Sequence, residues 1–290
     1  MDLIIETDIG HDPDDFFAIC YLIAAGVNVK AILVSPGDPD QIAIARLITR
    51  ELGLNIPIGA TDLNRQKLSS GSIHHDLLHR YGRPLCEKAD GLGHEIVYNI
   101  MEDDTRENVE AFIIGPVTNI GRFLLQNPRS DDYMFSRATM QGGFVPYSMY
   151  RPSVVIDKFE GKSHVPTFNL NGNREGAQAF LSANIPRQMV GKNVCHTILF
   201  DGSTFACFAP PPNRAAELFA EAANLYFARH DSKKFHDPTA AVCHLHPEIG
   251  TWVDGNTVKR QDGWTTVPGS DKILVDIDRE SLWNRLSTYT

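Results

Sequence analysis

Apolar and polar residues alternate along the chain in blocks of two lengths. The apolar runs 3–5 and 27–34 have the length of strands, and the segment Phe16–Ile23 between them has the length and propensity of a helix. Nearly continuous apolar strands that alternate with helices are typical of a parallel sheet covered on both faces. The pattern therefore predicts an α/β fold.

The same alternation continues to the end of the chain. Further strands are predicted at 56–60, 109–114 and 134–140, and further helices at 41–52, 94–102, 174–182 and 213–229. Residues 61–93 and 144–166 are polar and loop-like, and about 250–280 alternate as a small antiparallel hairpin. We expect one domain, residues 1–290, with a mostly parallel central sheet flanked by helices. Its site should lie at the carboxyl edge of the sheet.

Composition and charge argue against several classes of protein. The chain has 27 basic and 36 acidic residues, a formal charge of −9 and no basic run, which argues against nucleic-acid binding. No apolar run approaches about 18 residues, so no membrane span is predicted. No signal-peptide pattern precedes the first strand. Five scattered cysteines are typical of reduced core residues in a cytoplasmic protein: Cys20, Cys86, Cys195, Cys207 and Cys243.

A cluster of aspartates directly follows the first strand. Its members are Asp8, Asp12, Asp14 and Asp15. Carboxylates this close repel one another if all are ionised, so a divalent cation or a set of hydrogen-bond donors must neutralise them. Oxygen ligands without cysteine favour Ca²⁺ or Mg²⁺ over zinc.

The cluster has three other interpretations. A helix cap uses one or two aspartates and gives no role to Asp8, which precedes the turn; this interpretation stays open. An EF-hand loop that begins at Asp8 would need glycine at Pro13 and an acid at Ile19. A phosphatase with an aspartyl nucleophile would need aspartate where the chain has Glu6.

Several short motifs occur in the order found in one family, between about residues 5 and 242. They are Asp8-Ile9-Gly10 with Asp14-Asp15, Gly115-Pro116-Val117-Thr118-Asn119, Met140-Gln141-Gly142-Gly143, Phe168-Asn169 and His236-Asp237-Pro238. In these motifs the chain resembles the nucleoside hydrolases, the inosine-uridine preferring N-ribohydrolase group. The resemblance implies hydrolysis of the N-glycosidic bond of a ribonucleoside, which gives a free base and ribose.

The resemblance also implies roles for the matching residues. Four groups would bind Ca²⁺, a cation that takes six to eight oxygen ligands: Asp8, Asp15, the backbone carbonyl of Thr118 and Asp237. Asp8 would be the general base on a metal-bound water, and His236 would protonate the leaving base. Asp14 and Asn169 would hold ribose hydroxyls. Because relatives are commonly dimers or tetramers, we expect a homodimer or homotetramer that acts on a small nucleoside.

The chain departs from the family pattern in ways that bear on the substrate. The first turn is two residues longer, so Asp12 competes with Asp14 for the ribose role. Asp38 replaces an asparagine, and its carboxylate can also accept hydroxyl hydrogen bonds. Thr167 replaces an acid near the 5′ end of the ribose, and Lys162 lies just before it. We therefore hypothesise a 5′-phosphorylated or otherwise 5′-modified substrate that is bound by Lys162.

Other assignments remain open at this point. His236 and Asn169 are also typical turn residues, and Thr118 is a typical helix N-cap. A Ca²⁺-dependent riboside-binding protein without turnover, or a Mg²⁺-dependent phosphatase, would carry some of the same residues. Tyr226 and Phe227 are candidates to stack on the base, whose identity the sequence does not indicate.

Overall fold

The structure is a computed structural model that describes residues 1–67, 71–84, 88–103, 108–127 and 135–290. Its strands are β1 (Asp2–Thr7), β2 (Asn28–Val34), β3 (Ile58–Ala60), β4 (Gly91–Leu92), β5 (Val109–Ile113), β6 (Arg137–Gln141), β7 (Arg187–Val190), β8 (Leu199–Asp201), β9 (Ser232–Lys234), β10 (Gly250–Arg260) and β11 (Gly263–Ile277). Its α-helices are α1 (Asp14–Ala24), α2 (Pro39–Glu51), α3 (Ile73–Tyr81), α4 (Gly93–Glu102), α5 (Asn119–Gln126), α6 (Phe168–Gly172), α7 (Arg174–Ser182), α8 (Lys192–Cys195), α9 (Gly202–Phe205), α10 (Arg214–Phe227), α11 (Asp237–Leu245) and α12 (Arg279–Tyr289).

Nine strands of the described residues form one sheet in the order β10-β11-β7-β6-β5-β1-β2-β3-β4. Every neighbouring pair is parallel except β10 with β11, so the predicted mostly parallel α/β sheet is confirmed. The chain leaves β1 toward one edge through β2 and later returns to β5 on its other side. The crevice beyond β1 and β5 is therefore the point where strand order reverses, and open α/β sheets bind ligands at such points.

The central strand is buried on both faces, as its apolar run predicts. Leu3 and Ile5 pack into one hydrophobic cluster and Ile4 packs into a second cluster on the opposite face. This alternation follows from the two-residue repeat of a strand. Because helices cover both faces, the polar end of the strand is the part of β1 that remains open to a ligand.

The structure differs from the predicted elements in three places. Helix α3 lies within 61–93, where a loop was expected, because Ile73 and Leu77 give its polar sequence one buried face. Helix α5 was not predicted, since its apolar stripe is short. The C-terminal hairpin is long and continues the main sheet through β7. Met134 and Cys86, which the sequence assigned to a strand and to the core, lie outside the described residues.

No helix in the described part of the chain is long and apolar enough to cross a membrane.

Candidate active site

A cavity of about 910 Å³ opens at the carboxyl edge of the sheet, beyond the ends of β1, β5 and β6. Its volume lies in the range of small-molecule sites. The residues that line it are Asp8, His11, Asp12, Pro13, Asp14, Asp15, Ser72, Ile114, Gln141, Lys158, Thr167, Phe168, Asn169, Lys192, His196, Tyr226, His230, Lys233, His236 and Asp237. An adjoining cavity of about 460 Å³ shares Asp8, His11 and Phe168 with it.

The turn between β1 and α1 carries two buried aspartates to the floor of the cavity. Asp14 and Asp15 are the first residues of α1, and each is at most 3% exposed. The N-cap position belongs to Pro13, which makes no side-chain cap, so capping alone does not account for the aspartates. The Thr7 hydroxyl donates to Asp15 and accepts from the backbone N–H of Ile9 at 3.0 Å. These bonds hold the turn against the strand.

A second strand-to-helix connection brings His236 and Asp237 to the same floor. Helix α11 begins at Asp237 and packs against α1, so the two helix N-termini lie close together. The backbone N–H of His236 donates to Asp14 Oδ2 at 3.1 Å, and His236 Nδ1 lies 3.3 Å from the same oxygen. Residues more than two hundred positions apart in sequence thus form one hydrogen-bonded unit.

Lys233 balances part of the acidic charge. Its Nζ lies 2.9 Å from Asp12 Oδ1 and 3.4 Å from Asp14 Oδ1. Burial opposes the charge of Lys233, but Asp14 and Asp12 together hold its pKa above the usual range. Asp12 stands at the rim with its side chain 58% exposed, whereas the side chain of Asp14 is 3% exposed.

The remaining three carboxylates, those of Asp8, Asp15 and Asp237, form no ion pair within the described residues. Burial raises the pKa of Asp8 to about 7, and burial together with neighbouring carboxylates raises the pKa values of Asp15 and Asp237. Buried, mutually repelling oxygen donors fit a hard divalent cation. No group of three or more such side chains in the described ranges is arranged to hold a metal ion. The suitability of these three carboxylates for a divalent cation therefore rests on their charge, their burial and their oxygen donors.

Glu6 is a buried acid whose role the sequence did not indicate. Its carboxylate accepts hydrogen bonds from the backbone N–H groups of Thr118 at 2.8 Å, of Asn119, and of Ile120 at 3.1 Å. It therefore caps helix α5 from the neighbouring strand. Burial raises the pKa of Glu6 to about 7 against the opposing effect of these donors. The Thr118 carbonyl accepts one bond from Arg122 at 3.0 Å and keeps a second lone pair.

We predict that Glu6→Ala lowers the free energy of unfolding by about 3 kcal/mol. The substitution leaves three backbone donors unsatisfied, and each such group costs about 1–3 kcal/mol when it stays buried. Chemical denaturation measures the change, with the exposed Glu160→Ala as the matched control. A loss no larger than that of the control would contradict the capping role.

Asn169 connects the ends of two strands. Its Nδ2 donates to the Ile114 carbonyl at 2.9 Å and to the Gln141 carbonyl at 3.0 Å. It is 5% exposed and lies in helix α6, so it is not a turn asparagine. The bonds orient its amide at the wall of the cavity.

Two residues that the sequence assigned to the substrate do not line the larger cavity. Asp38 is the N-cap residue of α2, pairs with Arg65 at 2.7 Å, and lines only the adjoining cavity. Lys162 does not line either cavity, because the turn formed by Asp157–Phe159 presents Lys158 instead. Lys158 therefore faces the cavity where the sequence suggested Lys162, and a substrate role for Lys162 stays a prediction.

The two aromatic candidates also separate. Tyr226 lines the cavity and stacks on His230, with ring centroids 4.5 Å apart. Phe227 packs against Phe200 at 5.1 Å, away from the cavity lining. Consecutive helical residues point about 100° apart, so only one of the two can face the site.

The model of the inosine-uridine preferring nucleoside hydrolases matches residues 3–284 of this chain. The chain belongs to that family. It is therefore an N-glycosyl hydrolase of the nucleoside hydrolase type. An uncharacterized protein of Aquifex aeolicus (strain VF5) is 21% identical over 280 residues, which span 92% of this chain and 91% of that protein.

Solved structures show the same fold. The plant nucleoside hydrolase PpNRh1 superposes with a TM-score of 0.75 at 18% identity, over 99% of this chain and 98% of its own. The purine-preferring ribonucleoside hydrolase from Gardnerella vaginalis gives 0.74 at 15% identity, over 100% and 98%. The inosine-uridine preferring nucleoside hydrolase from Bacillus anthracis gives 0.72 at 14% identity, over 99% and 98%.

Four basic residues of this nucleoside hydrolase were missed in the sequence: Lys158, Lys192, His196 and Lys233. Lys192 and His196 flank the short helix α8, whereas Lys158 and Lys233 lie on other parts of the chain. The His196 ring meets the ring of His236 edge to face, with centroids 5.0 Å apart. Burial, with the nearby His236 and Lys158, lowers the pKa of His196 to about 3, so its ring is neutral near pH 7.

Proposed function

We propose that this nucleoside hydrolase catalyses Ca²⁺-dependent hydrolysis of a ribonucleoside, with Asp8 as general base and His236 as leaving-group acid. The observation that carries the proposal is the composition of one cavity wall. Three carboxylates that form no ion pair within the described residues lie there, with Asp15 and Asp237 buried and Asp8 half-buried, beside a histidine that is already hydrogen-bonded to a fourth. Acid, base and cation donors thus share one site of ligand size.

Asp8, Asp15, Asp237 and the carbonyl of Thr118 would bind Ca²⁺. Bound there, the cation would make a coordinated water more acidic and would hold the ribose diol. Asp8 accepts a proton from the attacking water. The oxygen of that water forms a bond to C1′ while the C1′–N bond to the base breaks. The surrounding carboxylates favour the positive charge that develops on the sugar.

Asp14 is the better candidate for the ribose hydroxyl. It is buried and held on two sides by Lys233 and His236, whereas Asp12 is at the rim. A carboxylate fixed in this way costs little reorganisation when it accepts a hydroxyl hydrogen bond. Asn169 supports the same ring through Oδ1, to which no donor in the described residues is bonded.

His236 meets the requirements of a leaving-group acid. Its Nδ1 faces Asp14, so the carboxylate can stabilise the protonated ring while the other nitrogen donates to the base. Tyr226 and His230 line the same cavity and offer flat surfaces for the base. The departing base can thus be protonated and stacked at once.

Removal of divalent cations tests the proposal. We predict that a chelator abolishes base release from a panel of ribonucleosides and that added Ca²⁺ restores it. Because Ca²⁺ relieves the repulsion among buried carboxylates, it should also raise Tm as its concentration rises. Asp15→Asn should weaken this Tm response.

Two outcomes would contradict the prediction. If base release persisted in the presence of the chelator, hydrolysis would not depend on a divalent cation. A Ca²⁺-dependent rise in Tm without any base release would indicate a riboside-binding protein instead.

A further inference from the structure

A second part of the cavity wall carries positive charge. Lys158 lies on the turn at Asp157–Phe159, Lys192 begins helix α8, and His196 follows that helix. All three line the cavity, and Lys158 Nζ lies 3.0 Å from His196 Nδ1. The chain thus presents two lysines and a neutral ring acceptor in the cavity that also holds the aspartates.

These lysines differ from Lys233 because no carboxylate neutralises them. Within the described ranges, neither Lys158 nor Lys192 forms an ion pair, whereas Lys233 pairs with two aspartates. Burial lowers the pKa of Lys158, and the charges of Lys234 and Lys192 lower it further. Converging cations without a counter-ion are an arrangement that an anionic ligand stabilises.

A buried hydroxyl beside them lacks a partner in the part of the chain that the structure describes. Thr167 is 4% exposed and lines the cavity, and no described residue forms a hydrogen bond with its Oγ1. Lys192 Nζ donates to the carbonyl of Pro166 at 3.1 Å, which brings the ammonium next to Thr167. A buried unpaired hydroxyl costs free energy unless a ligand satisfies it. Hydroxyl and ammonium donors together suit an oxyanion.

The position of this group relative to Asn169 indicates which part of the substrate it meets. Thr167 is two residues before Asn169, which we assign to the ribose, whereas Asp14 and His236 lie at the starts of α1 and α11. We place the ribose with its hydroxyls at Asp14 and Asn169 and its base at His236, so that its 5′ end faces Thr167 and Lys192.

We propose that the substrate carries a phosphate monoester at its 5′ position, bound by Lys158, Lys192 and Thr167. The substrate is then a nucleoside 5′-monophosphate, and the products are the free base and ribose 5-phosphate. Water adds to C1′ and the base leaves with a proton, while the phosphate ester bond stays intact. This inference rests on the proposed N-glycosidic hydrolysis and deepens it.

The decisive quantity is the ratio of kcat/KM for a nucleoside 5′-monophosphate to that for the same nucleoside. We expect a ratio well above one for wild type. Lys158→Gln and Lys192→Gln should each lower it about tenfold or more, as for loss of a charge-assisted hydrogen bond. Lys158→Arg keeps the charge and should retain most of the ratio. Lys162→Gln, on the same segment but outside the cavity, should leave the ratio at its wild-type value.

Several results would overturn the proposal. A ratio at or below one, unaffected by Lys158→Gln and Lys192→Gln, would overturn it while the hydrolase stands. A fall in the ratio for Lys162→Gln instead would return the 5′ group to that residue. If a nucleoside 5′-carboxylate had the same kcat/KM as the nucleoside 5′-monophosphate, the site would select negative charge in general and not phosphate.

Calorimetry with ribose 5-phosphate separates failure of this inference from failure of the proposed function. Suppose that no substrate releases base, but that ribose 5-phosphate binds to wild type and not to Lys192→Gln. The proposed hydrolytic function would then fail, while the phosphate site would be supported. Binding no tighter than that of ribose would overturn the phosphate site.

Discussion

Asp8→Asn is expected to lower kcat/KM for base release by about 10³-fold or more, because one substitution removes two functions. The amide keeps the shape of the side chain but cannot accept a proton from water. It also removes one negative charge from the three carboxylates that we assign to the cation. Affinity for Ca²⁺ should therefore fall together with kcat.

The matched control for this substitution is Asp254→Asn. Asp254 is exposed and forms a surface ion pair with Lys272, and such a pair contributes little to stability. Both variants should still fold and should unfold cooperatively, because Asp8→Asn removes a catalytic group without changing the shape of the side chain. If Asp8→Asn kept more than a tenth of the wild-type kcat/KM, the general base would have to be another residue.

His236→Gln is expected to lower kcat by about 10²- to 10⁴-fold for nucleosides whose base must be protonated to leave. Glutamine keeps a hydrogen-bond donor near Asp14 but cannot deliver a proton. The backbone N–H bond of residue 236 to Asp14 does not depend on the side chain, so the floor of the cavity should keep its geometry.

A riboside with a good leaving group separates acid catalysis from positioning. A 4-nitrophenyl riboside needs no protonation of its leaving group, so His236→Gln should lose little activity toward it. An equal loss for both substrates would show that His236 positions the sugar or the cation and does not supply the proton. His230→Gln, at the cavity wall by Tyr226, shows how much of the loss comes from altered stacking on the base.

Much of the fold could be predicted because its signals are local. The apolar run that ends at Thr7 and the segment that becomes α1 specify a central strand and its helix. Helix α3 and the reach of the C-terminal hairpin could not be predicted in this way. A polar sequence hides the buried face of α3, and the partner of β11 is β7, far away in sequence.

The candidate site also has residues that could be predicted from the sequence and residues that could not. Asp8, Asp14 and Asp15 follow one strand, and the His236-Asp237 pair begins a helix, so composition and order marked them as candidates. The structure brings them into one cavity, while their chemical roles stay predictions. Asp38 resembled a substrate ligand, but the sequence did not show that Arg65 would pair with it.

The sequence by itself determined the parallel α/β fold, the family and the acidic candidates for the site, because each depends on local patterns and on their order along the chain. Only the tertiary structure decided that Lys158, and not Lys162, meets the cavity, and that Lys233 neutralises Asp12 and Asp14. Both outcomes depend on how loops from distant parts of the chain pack over the sheet. Residues with no fixed spacing in sequence become neighbours there because the sheet brings the loops that carry them to one edge.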